Sequence, residues 1–407
     1  MLLRLAWRNL WRNKRRTLLT MAAISFATLL AIATRGVQLG TYQANIRHSL
    51  ELFTGYLQIV RPGFQSNPSL YKSFTVDSGL VNLLASQPAV TGWTARLQSD
   101  GLVSSGEKSL GGILLGLDRA REKRVSTLFN RLDRGRWFSG NRSREAVLGY
   151  RLLKNLNLDI GQEIVVLSQG FDGSLGNEKY RVVGTVRTGA MELDQMAVLL
   201  PLESLQELLA MPGRVTQVVV ALKRVRDIPR VQRVLQSRLK GQNLAVLSWE
   251  ELLPELKESI ELDNIGGLLS LAIVVLVVGF GVLNTVLMSV TERFREFGIL
   301  LAVGMANSVL VRVVALEILL LSTAGILLGN GFGWLVNYYL VLHPVEFTGT
   351  IGELYREFGF IPRMYSTVDP GIFVHISLTM VAVSLVASAV PLYKIQRLEP
   401  LKGIRYT

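Results

Sequence analysis

The 24 residues from Ile265 to Met288 include no Asp, Glu, Lys or Arg, and this run constrains the fold more than any other feature of the chain. As a helix rising 1.5 Å per residue, it is long enough to cross about 30 Å of hydrocarbon. It ends abruptly in alternating charges, Glu292, Arg293, Arg295 and Glu296, and then turns back between Gly298 and Gly304. A second apolar run begins at Val313, and its only charged side chain is Glu317. The spacing therefore predicts two membrane helices joined by a short charged helix that protrudes into water. Such an elbow offers ion-pair partners to a soluble protein that pushes on it.

Composition agrees with a membrane protein that carries a large water-exposed part. The chain is 49 % hydrophobic, its mean hydropathy is +0.33, and only 18 % of its 407 residues are charged. Its net charge is +13, but the basic residues crowd at the borders of the apolar runs as well as in the middle region. Orientation in a bilayer accounts for that crowding without nucleic acid. The chain has no cysteine, which excludes disulfides, thiolate metal sites and cysteine nucleophiles. His48, His343 and His375 lie far apart and form no metal-spaced pair.

Read in order, residues 1–16 form a basic amphipathic interfacial helix. At 100° per residue Arg4, Arg8, Arg12 and Arg15 share one face, and Leu3, Trp7, Leu10 and Trp11 share another. The first span follows at 17–39, retained rather than cleaved as a signal peptide. Residues 40–262 read as an external α/β domain. Strand-like runs recur in it at Tyr56–Val60, Gly112–Leu117, Glu163–Leu167, Arg181–Val186, Met196–Leu200 and Gln217–Leu222. Helical patterns cover Leu202–Ala210 and Ile228–Leu239. Two half-units, about 85–150 and 215–250, are expected to flank a β-rich middle. Gln169–Lys179 reads as an exposed Gly-rich hairpin tip, because no Gly-x4-Gly-Lys-Ser/Thr phosphate loop occurs anywhere. Trp249 is expected to be a core or interface aromatic where the domain meets the stalk that rises into the second span. That span covers 263–290, the elbow 291–307, the third span 308–341, an external loop 342–369, the fourth span 370–393 and a basic tail 394–407. The third span carries Gly325, Gly329 and Gly333 at four-residue spacing, a smooth face for another helix. The fold class expected is thus an α-helical membrane protein with four transmembrane helices and a large external α/β domain inserted between helices 1 and 2. By the positive-inside rule both termini and the elbow are cytoplasmic.

These residues resemble the MacB/FtsX/lipoprotein-releasing superfamily of ABC transporter permeases. The likeness rests on Ser289-Val-Thr-Glu-Arg-Phe-Arg-Glu-Phe-Gly-Ile-Leu-Leu-Ala-Val-Gly304, which is similar to that family's coupling helix, on Gly281-Val-Leu-Asn284 before it, and on the basic tail from Pro391 to Arg405. The basic start Ala6-Trp-Arg-Asn-Leu-Trp-Arg-Asn-Lys-Arg-Arg16 and the order of spans also match, and the chain lacks the nucleotide-binding domain fused in MacB itself. The resemblance implies a non-catalytic permease subunit in a bacterial inner membrane. It implies partners too: two copies of an ABC ATPase, a second permease copy in a homodimer or heterodimer, membrane lipid, and a lipoprotein cargo or periplasmic adaptor. No cofactor is expected on this chain, with ATP and Mg acting at the ATPase. In that setting Glu292, Arg293, Arg295 and Glu296 dock or orient the elbow, Gly298 and Gly304 let it bend, and Phe294 or Phe297 plugs an apolar notch. Gly279, Gly281 and Asn284 are expected at the seam between permeases.

Glu317, about one turn into the third span, is expected to pair with Arg312 or to serve transport. Four spans with almost no polar lining leave little room for a hydrophilic pore, so transmission of force is expected rather than conduction. Lipoprotein or lipid release is the first expectation for the activity, MacB-like efflux and FtsX-like signalling to a wall hydrolase the others. An enzyme is not expected, since His48 is the only histidine of the external region and no catalytic constellation can be assembled there.

Overall fold

The structure is a computed structural model that describes residues 2–357 and 361–399. The last residues of the basic tail, 400–407, fall outside them. From the N-terminus, α1 (Leu2–Leu10) passes through a 3-10 turn into α2 (Lys14–Ser49), which closes in a π-helical turn at Leu50–Thr54. Then follow β1 (Leu57–Val60), β2 (Phe74–Thr75), α3 (Ser78–Ala85), β3 (Val90–Ser105), β4 (Lys108–Leu117), α4 (Arg119–Glu122), β5 (Leu132–Gly135), β6 (Glu145–Gly149) and α5 (Tyr150–Asn155). Next come β7 (Glu163–Gln169), β8 (Leu175–Val186), α6 (Met191–Met196), β9 (Ala197–Pro201), α7 (Leu202–Leu208), β10 (Arg214–Val215), β11 (Gln217–Leu222), α8 (Ile228–Arg238), β12 (Ala245–Ser248) and α9 (Trp249–Leu252). The chain continues as α10 (Pro254–Glu292), α11 (Phe294–Ala302), α12 (Asn307–Leu342), α13 (Gly349–Glu357) and α14 (Pro370–Gln396).

Two compact units result. One gathers Gln43–Ser259 with Phe347–Pro362, and the other Met1–Tyr42, Ile260–Glu346 and Arg363–Thr407. In the first unit the strands form one mixed sheet in the order β12-β1-β11-β3-β4-β9-β6-β8-β5, with β7 bridging β3 and β8. That bridge closes β3, β4, β9, β6, β8 and β7 into a hydrogen-bonded ring. Alternate residues point inward, so Val103, Leu114, Leu148, Ile164, Val166, Tyr180, Val182 and Val198 fill the ring and are fully buried.

The expected half-units are not the units of packing. One core draws Leu57, Ile59, Leu80 and Leu84 together with Val218, Val220, Leu235 and Val246, so its two segments are far apart in sequence. A second core is built from residues 97 to 211, and a third, which includes Phe129, Trp137 and Phe138, from residues 115 to 199. The cause is β3, a 16-residue strand that pairs with β11 through its first half and with β7 through its second. The hairpin tip between β7 and β8 turns at Gly170–Ser174, where Asp172 accepts hydrogen bonds from the backbone N–H and the hydroxyl of Ser174. Trp249 packs against the first core at the start of α9, beneath a capping box formed by Ser248 and Glu251. Leu253 breaks the helix there, and Pro254 opens α10.

Among the described residues four helices are long and apolar enough to cross a membrane, Leu2–Thr54, Pro254–Glu292, Asn307–Leu342 and Pro370–Gln396, and most of their length belongs to the second unit. Their shared core includes Ile24, Ile32, Val282, Val286, Val314, Ile318, Ile376 and Met380. Asp369 caps α14 by accepting from Gly371 N–H at 2.7 Å, with Pro370 at the first turn. The span expected at 370–393 carries Pro391 near its end. The helix runs on to Gln396, because a buried proline inside a packed helix removes one backbone donor without forcing a stop.

Candidate functional site: the charged elbow and the helices that hold it

α11 is bounded by two turn residues. Arg293 leaves the helical region at φ −105°, and Gly304 takes φ +104°, a conformation that glycine adopts without cost. Gly304 N–H bonds to the Leu301 carbonyl at 3.0 Å and Met305 N–H to the Leu300 carbonyl at 3.1 Å, which closes the helix end. α11 is unbroken at Gly298, so the chain turns at Arg293 and Gly304 and not at Gly298. Phe297 is turned inward with Leu301, against Leu310, Val314 and Ile318. It anchors the elbow to its own bundle, which removes it as a plug for a partner's notch. Phe294 is half-buried against the same core. Arg295, Glu296, Ile299, Leu300 and Val303 face outward.

A set of ion pairs ties this elbow to the N-terminal helix. Arg12 meets Glu296 at 2.9 Å, and Arg16 meets Glu292 at 2.9 Å while donating to the Thr285 carbonyl at 2.6 Å. The Arg12 guanidinium holds the Glu296 carboxyl below its ordinary range, and Glu296 in turn raises Arg12. Both side chains are about half exposed, so each such pair contributes little alone. The deeper link is different. Arg293 Nη1 donates to both oxygens of Glu317, at 2.9 and 3.1 Å, and Asn9 Nδ2 donates to Glu317 Oε1 at 2.6 Å. The Glu317 side chain is only 9 % exposed, and the ion pair together with the Asn9 hydrogen bond offsets the cost of burying it. Arg312 is exposed and is not its partner. Five residues along a helix rotate about 140°, so Arg312 and Glu317 point to different sides of α12. Arg12, expected only on the basic face of an interfacial helix, is thus part of the site, together with Asn9 and Arg16, which carried no expectation of their own. Their signal was the i, i+4 repeat of Arg8, Arg12 and Arg16 opposite an elbow that carries acids.

The remaining residues of interest are packing positions. Gly325, Gly329 and Gly333 all face α2, and Cβ atoms added there would lie 2.9, 2.5 and 2.9 Å from side-chain atoms of Ile24, Thr28 and Ile32. Asn337 extends the same seam: it donates to the Ile32 carbonyl at 3.1 Å and accepts from Ser366 at 3.1 Å. Gly279 faces α14, where a Cβ would lie 3.3 Å from Val383, so it sits inside this chain's own bundle. Gly281 has open space beside it, and Asn284 is exposed on α10. Among the described residues no group of three or more His, Asp or Glu is placed to hold a metal ion.

Comparison with known families decides what this arrangement belongs to. The MacB-like periplasmic core domain matches residues 17–238, and the FtsX-like permease C-terminal domain matches residues 268–400. The chain belongs to the MacB/FtsX family of ABC transporter permeases. The permease is 25 % identical over 334 residues to the lipoprotein-releasing system transmembrane protein LolC of Xylella fastidiosa, covering 80 % of each chain. It is 27 % identical to the pyoverdine export ATP-binding/permease protein PvdT of Pseudomonas fluorescens, covering 90 % of this chain and 58 % of that one. The solved periplasmic region of MacB from Actinobacillus actinomycetemcomitans aligns with 54 % of the permease and 97 % of that chain, at 16 % identity and a TM-score of 0.37.

Proposed function

We propose that this permease works in the inner membrane as the non-catalytic half of an ABC transporter. A separate cytoplasmic ATPase, in two copies and carrying its own ATP and Mg, drives conformational change in the external domain through α2 and α10, which are continuous with it. Both termini and the elbow then lie in the cytoplasm and residues 40–262 outside. The observation that carries this reading is the elbow itself. A nine-residue helix and its capping residue Val303 present Arg295, Ile299, Leu300 and Val303 outward while Phe297 and the Arg293–Glu317 pair fix the inner side. A lever needs an outward docking face and a rigid inner one. A second permease copy pairs through α10, where Ile273, Leu276, Val277 and Phe280 are each at least 60 % exposed. Lipoprotein or lipid release from the membrane is the activity favoured, because relatives named for lipoprotein release match this chain across most of their own length.

The test is co-purification with an ABC ATPase subunit co-expressed with the permease. Arg295 makes no ion pair among the described residues, so Arg295→Glu reverses a docking charge without disturbing the chain's own contacts. Loss of the ATPase with unchanged insertion supports the reading. Full retention refutes the elbow as the docking element.

A further inference from the structure

The external domain carries its surplus of positive charge in one place. Residues 40–262 hold 28 Lys and Arg against 22 Asp and Glu, and residues 223–240 hold 7 of the former against 1 of the latter, so the rest of the domain balances at 21 against 21. Orientation in a bilayer does not account for this stretch, because that bias acts within about 15–20 residues of a span and Lys240 lies 25 residues before the charge-free run at Ile265. All seven cations are exposed, and among the described residues none of them forms an ion pair. Helix α8 explains the placement. Ile228, Val231 and Leu235 are buried in the core, which turns Arg230, Arg233 and Ser237 to the opposite, solvent-facing side. The helix is pinned to β12 by Gln232 and Gln236, which donate to the Val246 carbonyl at 2.9 and 3.2 Å, and β12 leads through α9 into α10.

We infer that the basic ridge of α8 docks on the anionic phospholipid headgroups of the bilayer that holds the chain. A protein partner needs an apolar or aromatic anchor at the centre of its contact. Among the described residues from 197 to 261 no large apolar side chain is exposed, so the ridge offers charge alone. A surface of phosphodiesters asks for nothing else, and five of the seven cations are arginines, whose planar forks match phosphate oxygens. Lipid is favoured over a soluble polyanion because the domain is tethered at a bilayer by the chain's own apolar helices, which makes docking intramolecular. Such docking rests on the membrane placement proposed above and on no part of the ATPase coupling.

The full chain, labelled with a donor dye at Ser237→Cys on the ridge or at Ser174→Cys on the β7–β8 hairpin as a reference, is reconstituted into vesicles that carry an acceptor dye on a lipid headgroup. The vesicles are phosphatidylcholine alone or phosphatidylcholine mixed with phosphatidylglycerol. Phosphatidylglycerol is expected to raise energy transfer from position 237 more than from position 174. Salt raised from about 0.1 M to about 1 M, which shortens the screening length from about 10 Å to about 3 Å, should abolish the rise. Arg230→Gln with Arg233→Gln should lower the ratio of docked to free domain at least about tenfold, and Arg230→Lys with Arg233→Lys by less, since lysine keeps the charge and loses the fork. Equal transfer in both lipid mixtures, or an equal rise at positions 237 and 174, overturns docking through α8. Binding of polyglutamate to the detergent-solubilised chain that the glutamine pair abolishes, with no response to phosphatidylglycerol, assigns the ridge to an acidic protein and overturns it too. Loss of ATPase co-purification with lipid docking intact counts against the proposed function alone.

Discussion

Arg96 and Glu122 form an ion pair from which water is fully excluded, and the same arginine donates to the carbonyl of Phe53 at 2.6 Å and lies 3.8 Å above its ring. Ser126 completes the carboxylate by donating to Glu122 at 2.6 Å. Phe53 belongs to the π-helical turn that ends the first long helix, and Thr127 N–H holds the Glu51 carbonyl of that turn at 2.6 Å. The end of the helix is therefore gripped by buried charge.

Removing one partner leaves the other as an uncompensated buried charge. Arg96→Leu or Glu122→Leu is expected to destabilise the external domain by about 3–5 kcal/mol, more than replacing both together by apolar residues. Denaturation midpoints of the two single variants and the double variant in the full chain measure this. A double variant no better than the worse single variant would contradict it.

The α2–α12 seam yields the next expectation. Gly329→Leu forces a side chain against Thr28 and should cost about 1–3 kcal/mol, whereas Gly331→Leu, with open space beside it, should be neutral. Thermal aggregation of the detergent-solubilised variants would separate them, and equal stability would show that the seam tolerates separation.

Glu145 gives a pH-dependent prediction in the external domain. The Arg136 guanidinium, helped by the N–H and hydroxyl of Ser139, holds its carboxyl down to about 2 against the opposing effect of burial. A depressed folded-state value means that its stabilisation is present above the ordinary carboxylate range and is lost as pH falls from about 4.5 towards 2. Glu145→Gln should flatten that part of the stability profile and leave the profile above pH 5 parallel to the parent. The nearby Trp137 fluorescence reports it, and an unchanged acid slope would remove Glu145 as its source.

Topology is testable because the chain has no native cysteine. Ser174→Cys, at the tip of the β7–β8 hairpin, should react with a membrane-impermeant maleimide added outside intact spheroplasts. Reaction only after lysis would invert the orientation.

How far the sequence carries is best seen in particular residues. Gln217–Leu222 is one strand at the expected bounds, because the β-branched run Val218–Val220 favours a strand and the charged pair Lys223 and Arg224 ends its apolar stretch. β3 was missed: it contains Gly92, Gly101 and polar residues, and its two halves serve two different cores, so no single periodicity marks it. The spacing of Gly325, Gly329 and Gly333 announces a close helix approach, but nothing local names α2 as the neighbour. Glu317 shows the same limit. Its need for a cation is legible, yet the cation comes from the elbow, 24 residues away, and an asparagine from the N-terminal helix joins it.

The elbow ties give the last prediction. Glu296 faces Arg12, so Glu296→Arg sets two guanidinium groups against each other and should release the N-terminal helix even if the ATPase never touches this residue. Swapping the pair, Arg12→Glu with Glu296→Arg, restores the attraction between positions 12 and 296, sets the new arginine near Arg293, and reverses the charge shown outward. If Glu296 serves only to hold the N-terminal helix, the swap should recover the parental distance between labels on α1 and α11, together with ATPase co-purification. If it also meets the ATPase, the swap should recover the distance and not the partner, because a like charge at an interface costs several kcal/mol while this half-exposed pair is worth at most about 1 kcal/mol. Electron-electron distance measurements on the purified chain, run beside co-purification, read both outcomes at once. A swap that restores neither would show that Arg12 and Glu296 do not hold α1 against the elbow in the membrane.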